Sequence, residues 1–441
     1  MALQGSAGMA AGRRRQGAAQ AGSPQEGPPR WPVPLPLHLA LSNLILGSSC
    51  AALPLARSGS INWSPACRDA AADLQPLLQA CPPEQLGPAV LQAALDRLAR
   101  VQAGIERYAA TPAARPDPVG PVIWQSGTTR LHDGAPGLAG SAAPHVLLVP
   151  SLINRAYILA LGPERGLVGH LAAQGIRPLL LDWDAPGAEE RLFDVAGYVE
   201  QRLRPALDLA SRAVAAGGRP PVILGYCMGG MLALAGLLRE AAPARLASGL
   251  ALVATPWDFA ADPLFAAVGE MMSGQEAAMR AWLGRTGALP PEFLQGLFVL
   301  RDPALPLRKF GGFAAMPDDG PQAAAFRGLE GWANDGVPLA GPAAEDCLFD
   351  WFGRNAPARG AWHVCGTVMR PEALALPAFA AIAGRDRLVP PASAAALIDR
   401  LPDVATLQVA GGHVGMVAGP GAAEGLWRPL TEWVLARCSA A

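Results

Sequence analysis

The chain has 441 residues, a formal net charge of −1 and only 16% charged residues. This length is enough for a large apolar core, and it predicts two or three domains or one domain enlarged by insertions. The near-neutral charge provides no basic stripe for a phosphate backbone, which argues against nucleic-acid binding and favours a small-molecule partner.

The N-terminal third differs in composition from the rest of the chain. Residues 1–30 are rich in Ala, Gly, Gln and Pro, which predicts a disordered tail because little apolar surface is available to offset chain entropy. Residues 31–120 are predicted to form a helical region. In its first segment, apolar residues recur at helical spacing between Leu35 and Leu55, which predicts an amphipathic helix docked on the protein. Contact with a membrane or lipid surface and a signal peptide are the alternatives for this segment.

Short apolar runs alternate with helical segments from about residue 121 onwards. Runs of four to six apolar residues bounded by Gly, Pro or Asp are typical of buried parallel strands, and helical crossovers between them indicate an α/β sheet. An opening antiparallel pair is predicted at Val122–Trp124 and Thr128–Leu131. The later strands are predicted at Val146–Val149, Pro178–Leu181, Val222–Leu224, Leu250–Val253, Phe379–Ala383 and Leu407–Ala410.

The strand spacing is interrupted once, by more than a hundred residues after Thr255. We therefore predict a core in two parts, 121–256 and 376–441, with a cap or lid over the site at 257–375. A second structural domain without contact to substrate is the alternative for that insertion.

A sharp turn follows the run Val222–Leu224. Its sequence is Gly-Tyr-Cys-Met-Gly-Gly over residues 225–230, and an apolar helical segment comes next. Strand, glycine turn and helix form a nucleophile elbow, which projects the central side chain clear of the sheet. That residue is Cys227, at a helix N-terminus where the dipole favours the reactive thiolate.

A nucleophilic thiol needs a base, and the base needs an orienting acid. Of the six histidines, His413 follows the last apolar run, after Gly411 and Gly412. Asp386 directly follows the strand predicted at Phe379–Ala383. The order nucleophile, acid, base is that of α/β-hydrolases, so the sequence predicts an α/β-hydrolase fold with a mostly parallel central sheet and the catalytic residues Cys227, Asp386 and His413.

An acyl intermediate needs hydrogen-bond donors for its oxyanion. The amide after the nucleophile, that of Met228, is one predicted donor, and the second is expected from the loop Pro150–Arg155. Ile153 is our choice for the second amide, with Leu152 as an open alternative. The seven cysteines are odd in number and lack paired Cys-x-x-Cys spacing, which predicts reduced thiols in a cytosol and no metal site.

Several motifs together resemble the polyhydroxyalkanoate synthase family. They are Val149–Leu159 with its Asn-Arg-Ala-Tyr-Ile-Leu run, Leu181–Trp183, Gly225–Gly230, Thr255–Phe259, Asp386–Pro390 and Gly411–Gly415. The resemblance runs from about Val122 to the C-terminus. The Asn-Arg-Ala-Tyr-Ile-Leu run discriminates best, because ordinary hydrolases lack it.

The resemblance implies an acyltransferase that loads 3-hydroxyacyl groups from coenzyme A onto a cysteine and joins them into a polyester. Cys227 would be acylated, His413 would deprotonate it, and Asp386 would help to activate the substrate hydroxyl. The acyl-CoA thioester is expected as substrate, with no further cofactor. A cytoplasmic location, contact with a polymer-granule surface and a homo-oligomer are also expected, and the need for a second type of subunit is left open.

Two other readings use the same residues differently. The elbow also resembles that of the shorter dienelactone hydrolases, so the chain could be a cysteine-dependent ester or thioester hydrolase with its acid at Asp258 or Asp262. The third reading is a non-enzymatic granule- or partner-binding relative that uses the N-terminal helix and the cap.

Overall fold

A computed structural model describes residues 27–162, 166–214 and 218–438. The predicted disordered tail therefore lies outside the described residues, except for its last four positions. Within the described ranges, the strands are β1 (Val122–Ser126), β2 (Thr129–Asp133), β3 (His145–Val149), β4 (Arg177–Asp182), β5 (Val222–Tyr226), β6 (Gly249–Val253), β7 (Ala288–Leu289), β8 (Leu339–Ala340), β9 (His363–Val364), β10 (Thr367–Val368), β11 (Ala378–Ala383) and β12 (Val404–Val409).

Eight of these strands form one sheet in the order β1-β2-β4-β3-β5-β6-β11-β12. The hairpin β1-β2 is antiparallel and joins β4 in antiparallel fashion, whereas every later pairing is parallel. The sheet is thus the mostly parallel α/β arrangement predicted from the apolar runs. Val149 of β3 pairs with Gly225 of β5, so the loop after β3 and the turn after β5 lie side by side at the carboxyl edge of the sheet.

The helices are α1 (Leu35–Ser58), α2 (Arg68–Ala80), α3 (Pro83–Ala110), α4 (Gly166–Ala173), α5 (Val195–Tyr198), α6 (Arg204–Arg212), α7 (Met228–Leu238), α8 (Pro263–Gly274), α9 (Glu276–Thr286), α10 (Pro291–Arg301), α11 (Leu305–Phe313), α12 (Pro321–Asn334), α13 (Gly341–Glu345), α14 (Pro391–Ile398), α15 (Gly415–Ala418) and α16 (Arg428–Cys438). Helix α13 continues as a π-helix over Asp346–Gly353.

Apolar layers lie on both faces of the sheet. Along β3, Leu147 and Val149 belong to one apolar cluster, and Val146 and Leu148 belong to the other, as the two-residue period of a strand requires. Helix α7 is apolar on all sides and buried almost throughout, because it begins at the sheet edge and runs through the first cluster. The elbow is therefore anchored in the most buried part of the core.

Helix α1 lies in the segment predicted to be helical. Of the apolar residues at helical spacing, Leu37, Leu41 and Ile45 are half-buried and Leu44 is 67% exposed, and the most buried residues of the helix are their neighbours His38, Ser42 and Leu46. The Ser42 hydroxyl donates to the His38 carbonyl at 2.8 Å and His38 Nε2 donates to the Val33 carbonyl at 3.3 Å, whereas His38 Nδ1 is buried without a hydrogen-bond partner among the described residues. By length and composition, this helix is one that could span a bilayer.

The segment between β6 and β11 is mostly helical, from α8 to the π-helical end of α13. Phe310 and Phe313 of α11 pack against Val101, Ile105 and Tyr108 of α3, so the insertion also contacts the N-terminal helices. Its inner side lines the cavity that contains Cys227.

Candidate active site

Cys227 occupies a strained turn between β5 and α7. Its backbone angles are φ 55° and ψ −127°, a region that side-chain-bearing residues rarely adopt. Hydrogen bonds hold the turn on both sides: the Cys227 amide donates to the Val253 carbonyl at 2.8 Å, and the Gly230 amide donates to the Cys227 carbonyl at 2.9 Å. The cysteine is the residue before the first turn of α7, where the first amides of the helix have no partner within the helix.

The glycines of the elbow are required by close packing. A Cβ on Gly225 would lie 2.3 Å from the Gly230 Cα, and a Cβ on Gly230 would lie 2.0 Å from Thr255 Oγ1. At Gly229 the obstacles are backbone carbonyl oxygens, those of Val149 at 2.1 Å and Pro150 at 2.5 Å. Side chains at these positions would push α7 away from the ends of β3 and β6.

Gly229→Ala is expected to lower the free energy of unfolding by about 3 kcal/mol or more, because neither obstructing carbonyl can move without shifting β3. Thermal or urea unfolding of the purified variant measures this. The matched control is Gly284→Ala, in the exposed part of α9, where a Cβ has no atom within 4 Å. It is expected to stabilise by about 0.5–1 kcal/mol. Equal stability of both variants would contradict the packing argument.

His413 and Asp386 lie together beside the elbow. Asp386 Oδ2 accepts a hydrogen bond from His413 Nδ1 at 2.7 Å, and His413 lines the same cavity as Cys227, close enough for Cys227 to raise its pKa. Both residues are buried, with 5% of Asp386 and 8% of His413 exposed. Gly411 has φ 114°, so the chain leaves β12 through a turn that favours glycine. The structure thus brings all three predicted catalytic residues together.

The surroundings of His413 favour its charged form. Burial alone lowers its pKa, but the Asp386 carboxylate and the Cys227 sulfur outweigh this effect and raise the pKa of His413 to about 10. Since Nδ1 donates to Asp386, it is Nε2 that faces the sulfur and exchanges a proton with it. His413 is therefore mostly protonated at neutral pH, and its Nε2 can return a proton to a leaving group.

Further groups fix this pair, and the sequence did not reveal them. Asp386 Oδ1 accepts from the amides of Leu388 and Val389, each at 2.8 Å, which sets the carboxylate plane. The Tyr226 hydroxyl donates to the His413 carbonyl at 3.3 Å, and the two rings lie 5.2 Å apart. Burial raises the pKa of Tyr226 well above its usual value, so the hydroxyl remains a donor. The only sequence signal for Tyr226 is its position beside the nucleophile.

The predicted oxyanion donors lie on either side of the nucleophile. Met228 is the first residue of α7, and Ile153 lies on the neighbouring loop; both line the cavity with Cys227. Leu152, the alternative to Ile153, is 3% exposed and packs into the apolar core. The Ile153 amide has only a long contact, 3.5 Å, to the Ser151 hydroxyl. Of the two, Ile153 lines the cavity and Leu152 does not, so Ile153 stays the predicted second donor with Leu152 as its alternative.

A cavity of about 650 Å³ opens from Cys227 towards the insertion. Its apolar lining residues include Phe259, Phe265, Val268, Leu294, Phe298, Trp351 and Phe352. Apolar walls of this kind lower the local dielectric and limit the access of water to an acyl intermediate. Residues of the insertion therefore form part of the wall around Cys227, and a cap or lid stays the prediction for this segment.

The two acids considered for a hydrolase have other partners. Asp258 accepts from the Asn355 side-chain amide at 2.8 Å, and Asp262 caps the N-terminus of α8 and pairs with Arg301 at 2.5 Å. His413 pairs instead with Asp386. Among the described residues, no group of three or more His, Cys, Asp or Glu side chains is arranged to hold a metal ion.

The sheet order, the elbow and the loops that carry Asp386 and His413 define an α/β-hydrolase fold with cysteine at the nucleophile position. No protein-family model matches the chain. The chain is 27% identical to the poly(3-hydroxyalkanoate) polymerase subunit PhaC of Haloferax mediterranei over 66% of its own length and 58% of the relative. It is 26% identical to the subunit PhaC of Synechocystis over 71% of its length and 84% of the relative. The chain is therefore similar in sequence to these polyhydroxyalkanoate polymerase subunits, which confirms the resemblance predicted from its motifs.

The chain spans about three fifths of the length of the PhaC subunits from Haloferax mediterranei and Haloarcula marismortui, 58% and 60% respectively. Among solved structures, the chain is similar to a thermophilic esterase from Thermogutta terrifontis. That match has 15% identity and a TM-score of 0.43, and it covers 72% of this chain and 97% of the esterase.

Proposed function

We propose that this chain is an acyltransferase that passes 3-hydroxyacyl groups from coenzyme A thioesters through Cys227 to a growing polyester. The observation that carries the proposal is the hydrogen-bonded pair His413 and Asp386 beside Cys227 at the wall of an apolar cavity. The curated relatives named poly(3-hydroxyalkanoate) polymerase subunit support the choice of acyl group and product.

The first half-reaction loads the cysteine. The Cys227 thiolate attacks the thioester carbonyl, a carbon–sulfur bond forms, and the negative charge moves to the carbonyl oxygen, which faces the amides of Met228 and Ile153. When the oxyanion collapses, the bond to the coenzyme A sulfur breaks. The leaving thiolate takes the proton held at His413 Nε2, which leaves an acyl-enzyme and a neutral imidazole.

The second half-reaction transfers the acyl group. A 3-hydroxyl group gives its proton to His413 Nε2 as its oxygen attacks the acyl-enzyme carbonyl, and the Cys227 thiolate departs. Asp386 stabilises the imidazolium that forms and keeps Nε2 directed at the reacting atoms. Transfer of the thioester acyl group to a hydroxyl and its transfer to water are both downhill, so exclusion of water decides which product forms.

Incubation of the full chain with 3-hydroxybutyryl-coenzyme A tests the proposal. We expect release of free coenzyme A together with oligomeric ester, detected by mass spectrometry and NMR. Release of coenzyme A with only 3-hydroxybutyric acid would support a cysteine-dependent hydrolase with the same catalytic residues. Absence of both thiol release and an adduct would contradict enzymatic activity and favour a binding role.

The proposed location is the cytoplasm, with contact to the surface of a polymer granule. All seven cysteines are free, which suits a reducing compartment. The exposed apolar side chains Leu44 and Leu55 of α1 suit contact with an apolar surface. A homo-oligomer is also proposed, and a second type of subunit is a candidate partner because the curated relatives are named as subunits.

A further inference from the structure

The loop that carries the Ile153 amide is joined to the insertion through its backbone. Asn154 forms an antiparallel bridge with Gly336, and the Val337 amide donates to the Ile153 carbonyl at 3.1 Å. A Cβ on Gly336 would lie 2.8 Å from Pro291 Cβ, so the close approach favours glycine. These bonds hold the peptide that directly follows the proposed oxyanion donor.

Asp335 lies next to this bridge and is only 5% exposed. Its two carboxylate oxygens accept from Arg115 Nε and Nη2, each at 2.8 Å, and Oδ2 also accepts from the Tyr157 hydroxyl at 3.2 Å. Its Oδ1 is 3.6 Å from Arg155 Nε, a buried atom without a hydrogen-bond partner among the described residues. One carboxylate therefore contacts the linker before β1 and both ends of the run Arg155–Tyr157.

Arg155, the last residue of the loop, makes further contacts that hold the loop in place. Its guanidinium also pairs with Asp184, and its carbonyl accepts from Trp332 Nε1 at 2.8 Å. Trp332 and Asp335 both belong to the insertion, at and just after the end of α12. Loss of the Asp335 charge would leave Arg115 and Arg155 without this partner and would free the loop on the side that faces the insertion.

We propose that Asp335 is a positioning residue that keeps the Ile153 amide directed at the acyl oxygen, so that the oxyanion site is complete only while the insertion is docked. The inference rests on the proposed acyl transfer through Cys227. Asp335 itself does not line the cavity wall with Cys227; it acts through Arg155, Tyr157 and the bridge at Gly336.

Two reactions of Cys227 distinguish a displaced oxyanion donor from a general loss of structure around the site. Acylation by p-nitrophenyl butyrate passes through an oxyanion, whereas alkylation by iodoacetamide occurs at a tetrahedral carbon and forms none. For Asp335→Asn, we expect the acylation rate to fall about 10- to 100-fold, because loss of one oxyanion donor costs up to about 10³-fold and here the donor is displaced rather than removed. The alkylation rate should stay at the wild-type value.

The matched control is Asp133→Asn. Asp133 is 1% exposed and pairs with Arg177 at 2.6 Å, and it faces Leu179 in β4, near the opposite edge of the sheet from Cys227. This variant also breaks a buried ion pair, but it should leave the ratio of acylation to alkylation unchanged. If Asp335→Asn likewise leaves that ratio unchanged, the positioning role is wrong.

Tyr157→Phe provides a second variant should Asp335→Asn not fold. It removes only the hydroxyl that donates to Asp335, and a smaller fall in the same ratio is expected. An unchanged ratio in a folded Tyr157→Phe protein would overturn the inference. Both probes need only a reactive cysteine, so a wild-type chain that fails to use 3-hydroxybutyryl-coenzyme A would refute the proposed function without obscuring this result.

Discussion

Cys227→Ala is expected to abolish formation of the acyl-enzyme, with a fall of at least about 10³-fold in coenzyme A release. Intact-protein mass spectrometry after incubation with 3-hydroxybutyryl-coenzyme A measures the adduct directly. Cys227→Ser should leave at most a trace. A hydroxyl held beside His413 has a far higher pKa than a thiol and is seldom ionised, so the helix N-terminus has no anion to stabilise.

Cys347→Ala is the control for the cysteine experiment, because Cys347 is the other cysteine that lines the cavity. Burial raises the pKa of Cys347 well above its usual value, so its thiol stays protonated and unreactive. The adduct should therefore persist in this variant. An adduct that survives Cys227→Ala and disappears in Cys347→Ala would show that Cys347, and not Cys227, is the nucleophile.

The elements around the nucleophile could be predicted because their signals are local. Val222–Leu224 is a short apolar run before a glycine turn, and in the structure that strand is buried throughout. Its neighbours in the sheet follow the same rule. The last strand shows the limit: β12 begins at Val404, earlier than the predicted Leu407, because it is an edge strand whose exposed Ala405 and Thr406 do not extend the apolar run.

Contacts between distant segments could not be predicted from the same signals. Arg115 and Asp335 are 220 residues apart, and nothing in the composition of either segment relates them. The most buried residues of α1 were missed for a different reason. A search for apolar positions passes over His38 and Ser42 because they are polar, but the Ser42 hydroxyl and His38 Nε2 bond to nearby carbonyls, which lowers the cost of burying them.

Asp386→Asn is expected to lower the rate of acylation about 10²- to 10⁴-fold, although it changes a single atom. In the wild type, Asp386 Oδ1 accepts from two backbone amides and Oδ2 accepts from His413 Nδ1. In the variant, those amides require the remaining carbonyl oxygen, so the new NH₂ group must face His413. Imidazole can then accept at Nδ1 only by carrying its proton on Nε2.

In that tautomer Nε2 has no lone pair with which to take the thiol proton, so His413 does not become the imidazolium that the wild type holds, and the charge that raises the pKa of His413 is lost as well. The acylation rate at several pH values, with circular dichroism to verify folding, measures the effect. Asp262→Asn is the control, because Asp262 caps α8 and was the alternative acid for a hydrolase. It should lose some stability through its cap and its pair with Arg301 while keeping the acylation rate. If Asp262→Asn lost acylation and Asp386→Asn kept the wild-type rate, the assignment of Asp386 as the acid would be wrong.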